Sequence, residues 1–209
     1  MRRRVLTLSL VALFAVVGAV PAGATPITSL AGGSVVAMPG VNYIGAGPQV
    51  FSGITWTGSS NQAVFGWVSG YGFASNGTWF AGATPPMAGT NGTNISMTFT
   101  FATPVSGVGA FINYAPGFGT PVISIFDSGG NLLESTILNF LTGGANNSGE
   151  FHGFFNAAGI KSFTLQGAVI GMTNLTVQTA APVPEPTTLL LLGTGLGAIA
   201  ARRRMRNRA

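Results

Sequence analysis

No cysteine occurs anywhere in the 209 residues, which excludes disulfide staples, thiolate catalysis and cysteine-based metal sites. Charge is nearly as scarce, with Asp, Glu, Lys and Arg together making 6% of the chain. A formal net charge of +5 would ordinarily point to nucleic acid or a membrane surface. Here eight of the nine basic residues are arginines at the two ends: Arg2, Arg3 and Arg4 at one, Arg202, Arg203, Arg204, Arg206 and Arg208 at the other. Between them Lys161 alone faces Asp127, Glu134, Glu150 and Glu185, one positive charge against four negative. A body this neutral has no electrostatic footprint for nucleic acid. Histidine is limited to His152, so a zinc site would lack a second imidazole.

What is abundant is glycine, 32 residues of it, interleaved with Thr, Ser, Asn and Phe. That composition disfavours helices and favours short strands joined by turns. The clearest strand spans 94–102, where Ile95, Met97, Phe99 and Phe101 alternate with Ser96, Thr98 and Thr100. A period of two puts the large side chains on one face. Thr103 and Pro104 should end it, with a further strand or pair of segments over 105–114. Residues 122–126 and 132–138 read as a hairpin around Asp127-Ser128-Gly129-Gly130-Asn131, because glycine supplies the positive φ a tight turn needs. Shorter strands are expected at 153–156, 160–165 and 175–178. The first third, with candidate strands at 49–57, 63–68 and 78–80, is richer in Trp and Tyr and broken by many glycines. The expected fold class is all-β, an antiparallel β-sandwich of jelly-roll type with about 8 to 10 strands.

The two ends read as addresses. Residues 1–24 have the form of a secretory signal peptide, a helix-forming leader: a basic start, an apolar stretch from Val5 to about Val20, and Ala22 and Ala24 at the small-residue cleavage positions. Signal peptidase would cut after Ala24, leaving a body of residues 25–181. The last segment, 182–209, opens with Val183-Pro184-Glu185-Pro186. Proline withholds an amide donor and keeps its preceding neighbour extended, so the triplet should stay accessible. An apolar stretch over 187–201 follows as an expected C-terminal transmembrane helix. It falls short of the roughly 20 apolar residues a span usually requires, a deficit that snorkelling arginines and a thinned bilayer can absorb. The arginines of 202–209 would stay on the cytoplasmic side as a basic stop.

Box, apolar stretch and terminal arginines, in that order, resemble the PEP-CTERM sorting signal of exported bacterial proteins. The resemblance implies that Val183, Pro184, Glu185 and Pro186 are a recognition site in a substrate, read by an exosortase, an integral membrane cysteine enzyme. It further implies transient anchoring in the inner membrane, then the surface or extracellular matrix of an exopolysaccharide-producing Gram-negative bacterium. A looser resemblance, carried by TFTFATPVSGVGAFINY, ISIFDSGGNLL and LTV, is to the galactose-binding-like β-sandwich ectodomains that precede such tails.

Groups able to do chemistry are few. Glu134 and Glu150 are the carboxylates a secreted hydrolase would need to face each other across a bond. Glu150 and His152 should share one strand face. Asp127 and Asn131 are oxygen donors that calcium accepts, though the turn lacks the several carboxylates of a tight site. No G-x-S-x-G elbow is present. The expectation is therefore a non-enzymatic protein with no cofactor and no metal. The alternative is a carbohydrate-binding or adhesive module in which exposed Trp56, Trp67 and Trp79 stack on extracellular polysaccharide; the competing role for such rings is to fill the core.

Overall fold

The computed structural model describes residues 23–167 and 169–179. Within them lie β1 (Thr25–Ile27), β2 (Ser34–Val35), β3 (Tyr43–Ile44), β4 (Gln49–Phe51), β5 (Ile54–Gly58), β6 (Ala63–Trp67) and β7 (Tyr71–Gly72). They continue with β8 (Thr78–Trp79), β9 (Met87–Thr90), β10 (Ser96–Tyr114), β11 (Val122–Phe126), β12 (Leu132–Ile137), β13 (Glu150–Gln166) and β14 (Ile170–Thr179). The pairings among these strands are antiparallel, as the alternation and turn chemistry led one to expect. Helical structure among the described residues is confined to a single 3₁₀ turn, Ala74–Asn76. The expected leader and tail helices lie outside the described residues.

Two strands organise the rest, and both are longer than expected. β10 does not stop at Thr103-Pro104 but bends there. Its register against β13 jumps from Thr100↔Ser162 to Val105↔Ile160. A bend is where a strand tolerates a proline, since the missing amide falls at a break in the ladder. β13 bends opposite it at Gly159, whose φ of 104° suits a residue without a Cβ. The segments expected at 153–156 and 160–165 are thus one strand, and the one expected at 175–178 extends to the whole of β14. With its short edge strands the fold exceeds the expected 8 to 10, reaching 14 strands among the described residues.

The bends fold one sheet onto itself in a sandwich-like arrangement. The first halves of the long strands differ in partners from the second. Residues 97–101 of β10 pair with β5, which pairs with β4, and residues 162–166 of β13 pair with β11, which pairs with β12. Past the bend, β10 pairs with β14, β14 with β9 and β2, β9 with β6 and β6 with β3, while β1 lies on β13. The layers meet in the core. Phe154 and Phe163, one on each side of the β13 bend, form a T-shaped pair at 6.5 Å. Trp56 of β5 packs on Phe65 of β6 at 5.2 Å.

In the first half of β10 the burial alternates as the sequence does, Met97, Phe99 and Phe101 inward and Ser96, Thr98 and Thr100 partly exposed. In its second half both faces are covered, which erases the alternation. The outer cover is a satellite cluster of Val64, Phe73, Trp79 and Met87, with Trp67, Tyr71 and Phe111 against it.

One row of residues fixes where the chain enters and leaves. Thr25 of β1 pairs with Phe155, Phe155 with Gly107, and Gly107 with Gln178 of β14. Both ends of the body therefore emerge on the rim that carries the bends. At the opposite rim β13 ends at Gln166 and β14 begins at Ile170, so the two layers are closed by a short connection there.

Candidate functional site

Of the three tryptophans that the carbohydrate-binding alternative needs exposed, two are in the interior. Trp56 is 0% exposed, in edge contact with Tyr43 and tilted against Phe65, and Trp79 is 1% exposed. Trp79 packs between Phe73 and Phe111 and donates its indole N–H to the Ser148 carbonyl at 2.7 Å. Neither ring can reach a ligand, so the alternative of a stacking surface made by all three tryptophans is corrected, and for these two the competing role of filling the core holds. The reason is that large aromatic area is worth most when removed from water. Phe80, the neighbour of Trp79, is the ring left exposed at that position.

Trp67 is different: it is partly exposed and lines a cleft of about 380 Å³. A β-bulge aims it there. β6 pairs Val64 with Gly89 and then Trp67 with Met87, three steps on one strand against two on the other. The extra residue reverses the alternation, so Val64 and Trp67 share the outer face although they differ in parity, while Phe65 enters the core. Gly66 makes this possible with φ 60°. Its carbonyl accepts the amides of Val41 and Asn42, both at 2.9 Å, and a Cβ there would collide with the Pro39 carbonyl. This bulge leaves little trace in the sequence beyond the glycine itself.

The rings of the cleft are pinned by their polar tips. The Trp67 indole N–H donates to the Gly70 carbonyl at 3.3 Å, and the Tyr71 hydroxyl donates to the Thr90 carbonyl at 2.7 Å. Burial pushes the Tyr71 phenol above its ordinary range, so it stays a neutral donor at any physiological pH. Around them stand the amides of Asn61, Gln62 and Asn91 and the exposed side chain of Ile44. The lining has no charged residue.

The titratable groups lie elsewhere. Glu150 and His152 do share a face, with His152 Nε2 3.0 Å from Glu150 Oε2 and the imidazole stacked on Phe140 at 5.3 Å. Glu134 lies on β12 beside Leu133, which packs on the core, and its carboxylate accepts the Ser135 amide. Glu134 and Glu150 thus stand on different layers of the folded sheet and are not brought to one cleft. Asp127 serves its hairpin: Oδ1 accepts the amides of Gly129 and Asn131, both at 2.8 Å, and the Asn131 side-chain amide reaches Oδ2 at 2.9 Å. The Asn131 side chain, followed by its backbone amide, holds the Asp127 carboxyl below its usual range. Among the described residues no group of three or more His, Cys, Asp or Glu is placed to hold a metal ion. No helix among them is long and apolar enough to cross a membrane.

Of the address residues, Ala24 is half-buried against the core directly before β1. Ala22, the box at Val183, Pro184, Glu185 and Pro186, and the arginines from Arg202 to Arg208 lie outside the described residues.

Comparison with known proteins decides the character of the tail. Residues 182–204 match the PEP-CTERM protein-sorting motif. The match takes in the whole proline box, the apolar stretch and the first three arginines of the cluster, and it begins just after β14 ends. No curated protein matches the chain. Among solved structures, a lectin domain of lectinolysin complexed with Lewis B antigen aligns at 13% identity over 46% of this chain and 72% of that one. Its TM-score of 0.34 makes the likeness too distant to argue from.

Proposed function

We propose that this chain is an exported, exosortase-sorted cell-surface or extracellular-matrix protein of an exopolysaccharide-producing Gram-negative bacterium, with the folded β-sheet body as a non-enzymatic passenger. The observation that carries the reading is the PEP-CTERM motif at 182–204, joined to the end of β14 by a few residues. In this reading signal peptidase removes residues 1–24 after the Ala22-Gly23-Ala24 exit. The 187–201 helix halts in the inner membrane, with Arg202, Arg203, Arg204, Arg206 and Arg208 as its cytoplasmic stop. An exosortase then recognises Val183-Pro184-Glu185-Pro186 and cuts near it.

Mass spectrometry of the protein recovered from the extracellular fraction tests this. The expected species begins at Thr25 and has lost the arginine cluster. Recovery of that species with Arg202 to Arg208 still attached would overturn exosortase processing.

A second reading, of the passenger itself, is that of a carbohydrate-binding module. It is favoured by one observation, the uncharged cleft in which a bulge exposes Trp67 beside three side-chain amides. The hydrolase reading has no comparable support, given the separation of Glu134 from Glu150.

A further inference from the structure

We infer that the Trp67 cleft binds an uncharged oligosaccharide and presents it on the side of the body turned away from the membrane. The inference rests on the carbohydrate-binding reading and gives it a site, a ligand class and an orientation.

The ligand class follows from what the walls offer. A flat ring fixed in place is a stacking surface for the C–H face of a sugar. Trp67 and Tyr71 are fixed, since their N–H and O–H are already committed to the Gly70 and Thr90 carbonyls. Rings pinned beforehand lose little freedom on binding, which favours affinity. Asn61, Gln62 and Asn91 each carry a paired donor and acceptor, the pattern that matches neighbouring hydroxyls. The volume of about 380 Å³ lies within the ordinary range for small-ligand clefts, about 300–1,000 Å³. A uronate or phosphate would find no cation here: Lys161, the one lysine of the chain, is on β13 with its ammonium on the Ala102 carbonyl at the bend rim. Outside the two arginine-bearing ends the chain is net acidic, so anionic polymers are not drawn to it either.

The orientation follows from register. β14 runs from Ile170 to Thr179 and hands the chain to the sorting motif at the Thr179 end. The cleft includes Val169, one residue before β14 begins, and Asn61 and Gln62, which precede the Ala63↔Thr90 pair. Nine steps of an antiparallel strand span about 30 Å. While the tail is held in a bilayer, the cleft therefore stands roughly that far above the rim from which the tail departs.

The test is titration calorimetry on the full-length mature protein with short uncharged gluco-, manno- and galacto-oligosaccharides, and with uronate oligosaccharides as the charged arm. An uncharged saccharide should bind, and Trp67→Ala should weaken it by at least about tenfold while Trp67→Phe retains most of the affinity. Because Trp67 also packs on the outer cluster, Gln62→Ala and Asn91→Ala, both at exposed positions, provide variants whose folding is not at stake. Saccharide binding unchanged in Gln62→Ala, Asn91→Ala and Trp67→Ala would overturn the site while leaving the module reading standing. Stronger binding of uronates would overturn the ligand class. Binding of no saccharide would remove the module reading along with the site.

Discussion

Asn113 of β10 reaches across to Asn76, its side-chain amide donating to the Asn76 carbonyl at 3.0 Å with both residues 0% exposed. The same amide donates to the Ser148 carbonyl at 3.0 Å, and the Asn113 side-chain oxygen accepts the Tyr114 amide at 2.8 Å. Asn76 in turn holds Thr142, accepting its amide and its hydroxyl, while the Tyr114 hydroxyl donates to the Phe140 carbonyl. These bonds tie the 138–149 loop and the 3₁₀ turn to the sheet and thereby cover the outer face on which Trp79 packs.

Asn113→Ala should cost about 1–3 kcal/mol, because the Tyr114 amide is left buried without its acceptor. Asn113→Asp should cost more. It keeps the shape but aims a carboxylate at two carbonyl oxygens with no water to screen them. Urea denaturation of the two variants beside the parent gives the ranking, and an Asp variant as stable as the Ala variant would contradict it.

The environment of the three tryptophans can be read by acrylamide quenching of intrinsic fluorescence. Trp67 should be quenched, and Trp56 and Trp79 should be shielded. Trp67→Phe should therefore abolish most of the accessible fraction at little cost in stability. Trp56→Ala, by opening a cavity between the layers, should destabilise by about 3–5 kcal/mol.

That contrast marks how far the sequence could be read. The hairpin at Asp127 and the inward face of Met97, Phe99 and Phe101 were legible because both depend on residues a few positions apart. The pairing of Glu150 with His152 was legible for the same reason. Pro104 misled, since a proline that ends a strand and one that bends it look alike until the partner strand, with Gly159 at its own bend, is known. Apart from Gly66 beside Trp67, one glycine among 32, the sequence around Trp56, Trp67 and Trp79 does not tell their surroundings apart. Their fates diverge through contacts with Phe65, Gly66 and Ser148, which are set by the folding of the whole sheet.

Acid should loosen the Asp127 hairpin. Its carboxyl is held below the ordinary carboxylate range by the Asn131 side chain and the turn amides. A folded-state value lower than the unfolded one means the stabilisation is complete above the ordinary carboxylate range and is lost as pH falls through the lowered value. Asp127→Ala should accordingly be less stable than the parent near neutral pH, with the gap in Tm closing in strong acid. A gap that is constant with pH would show that the charge contributes nothing. Because the group sits in a surface turn within reach of solvent, the effect should be small.

The placement of Thr25 and Thr179, the two ends of the paired strands, on one rim can be measured directly, since a chain without cysteine accepts spin labels only where cysteines are introduced. Thr25, Phe155, Gly107 and Gln178 lie in one row across four strands, three spacings that amount to about 14 Å. Labels at Thr25→Cys and Thr179→Cys should therefore broaden each other's spectra, whereas Gln62→Cys and Thr179→Cys should lie about 30 Å apart by pulsed measurement. Reversal of that order would mean that the register joining β1, β13, β10 and β14 is not the one described. Under the proposed export route, both ends of the body on one rim would let a leader and the sorting tail engage the same bilayer before either is cut. If the proposed cleavage after Ala24 takes place, it should precede the docking of β1, because a peptidase needs extended chain and Thr25 is paired with Phe155 in the folded body. A leader left uncut should hold this rim against the membrane from both sides, with the cleft still turned away from it.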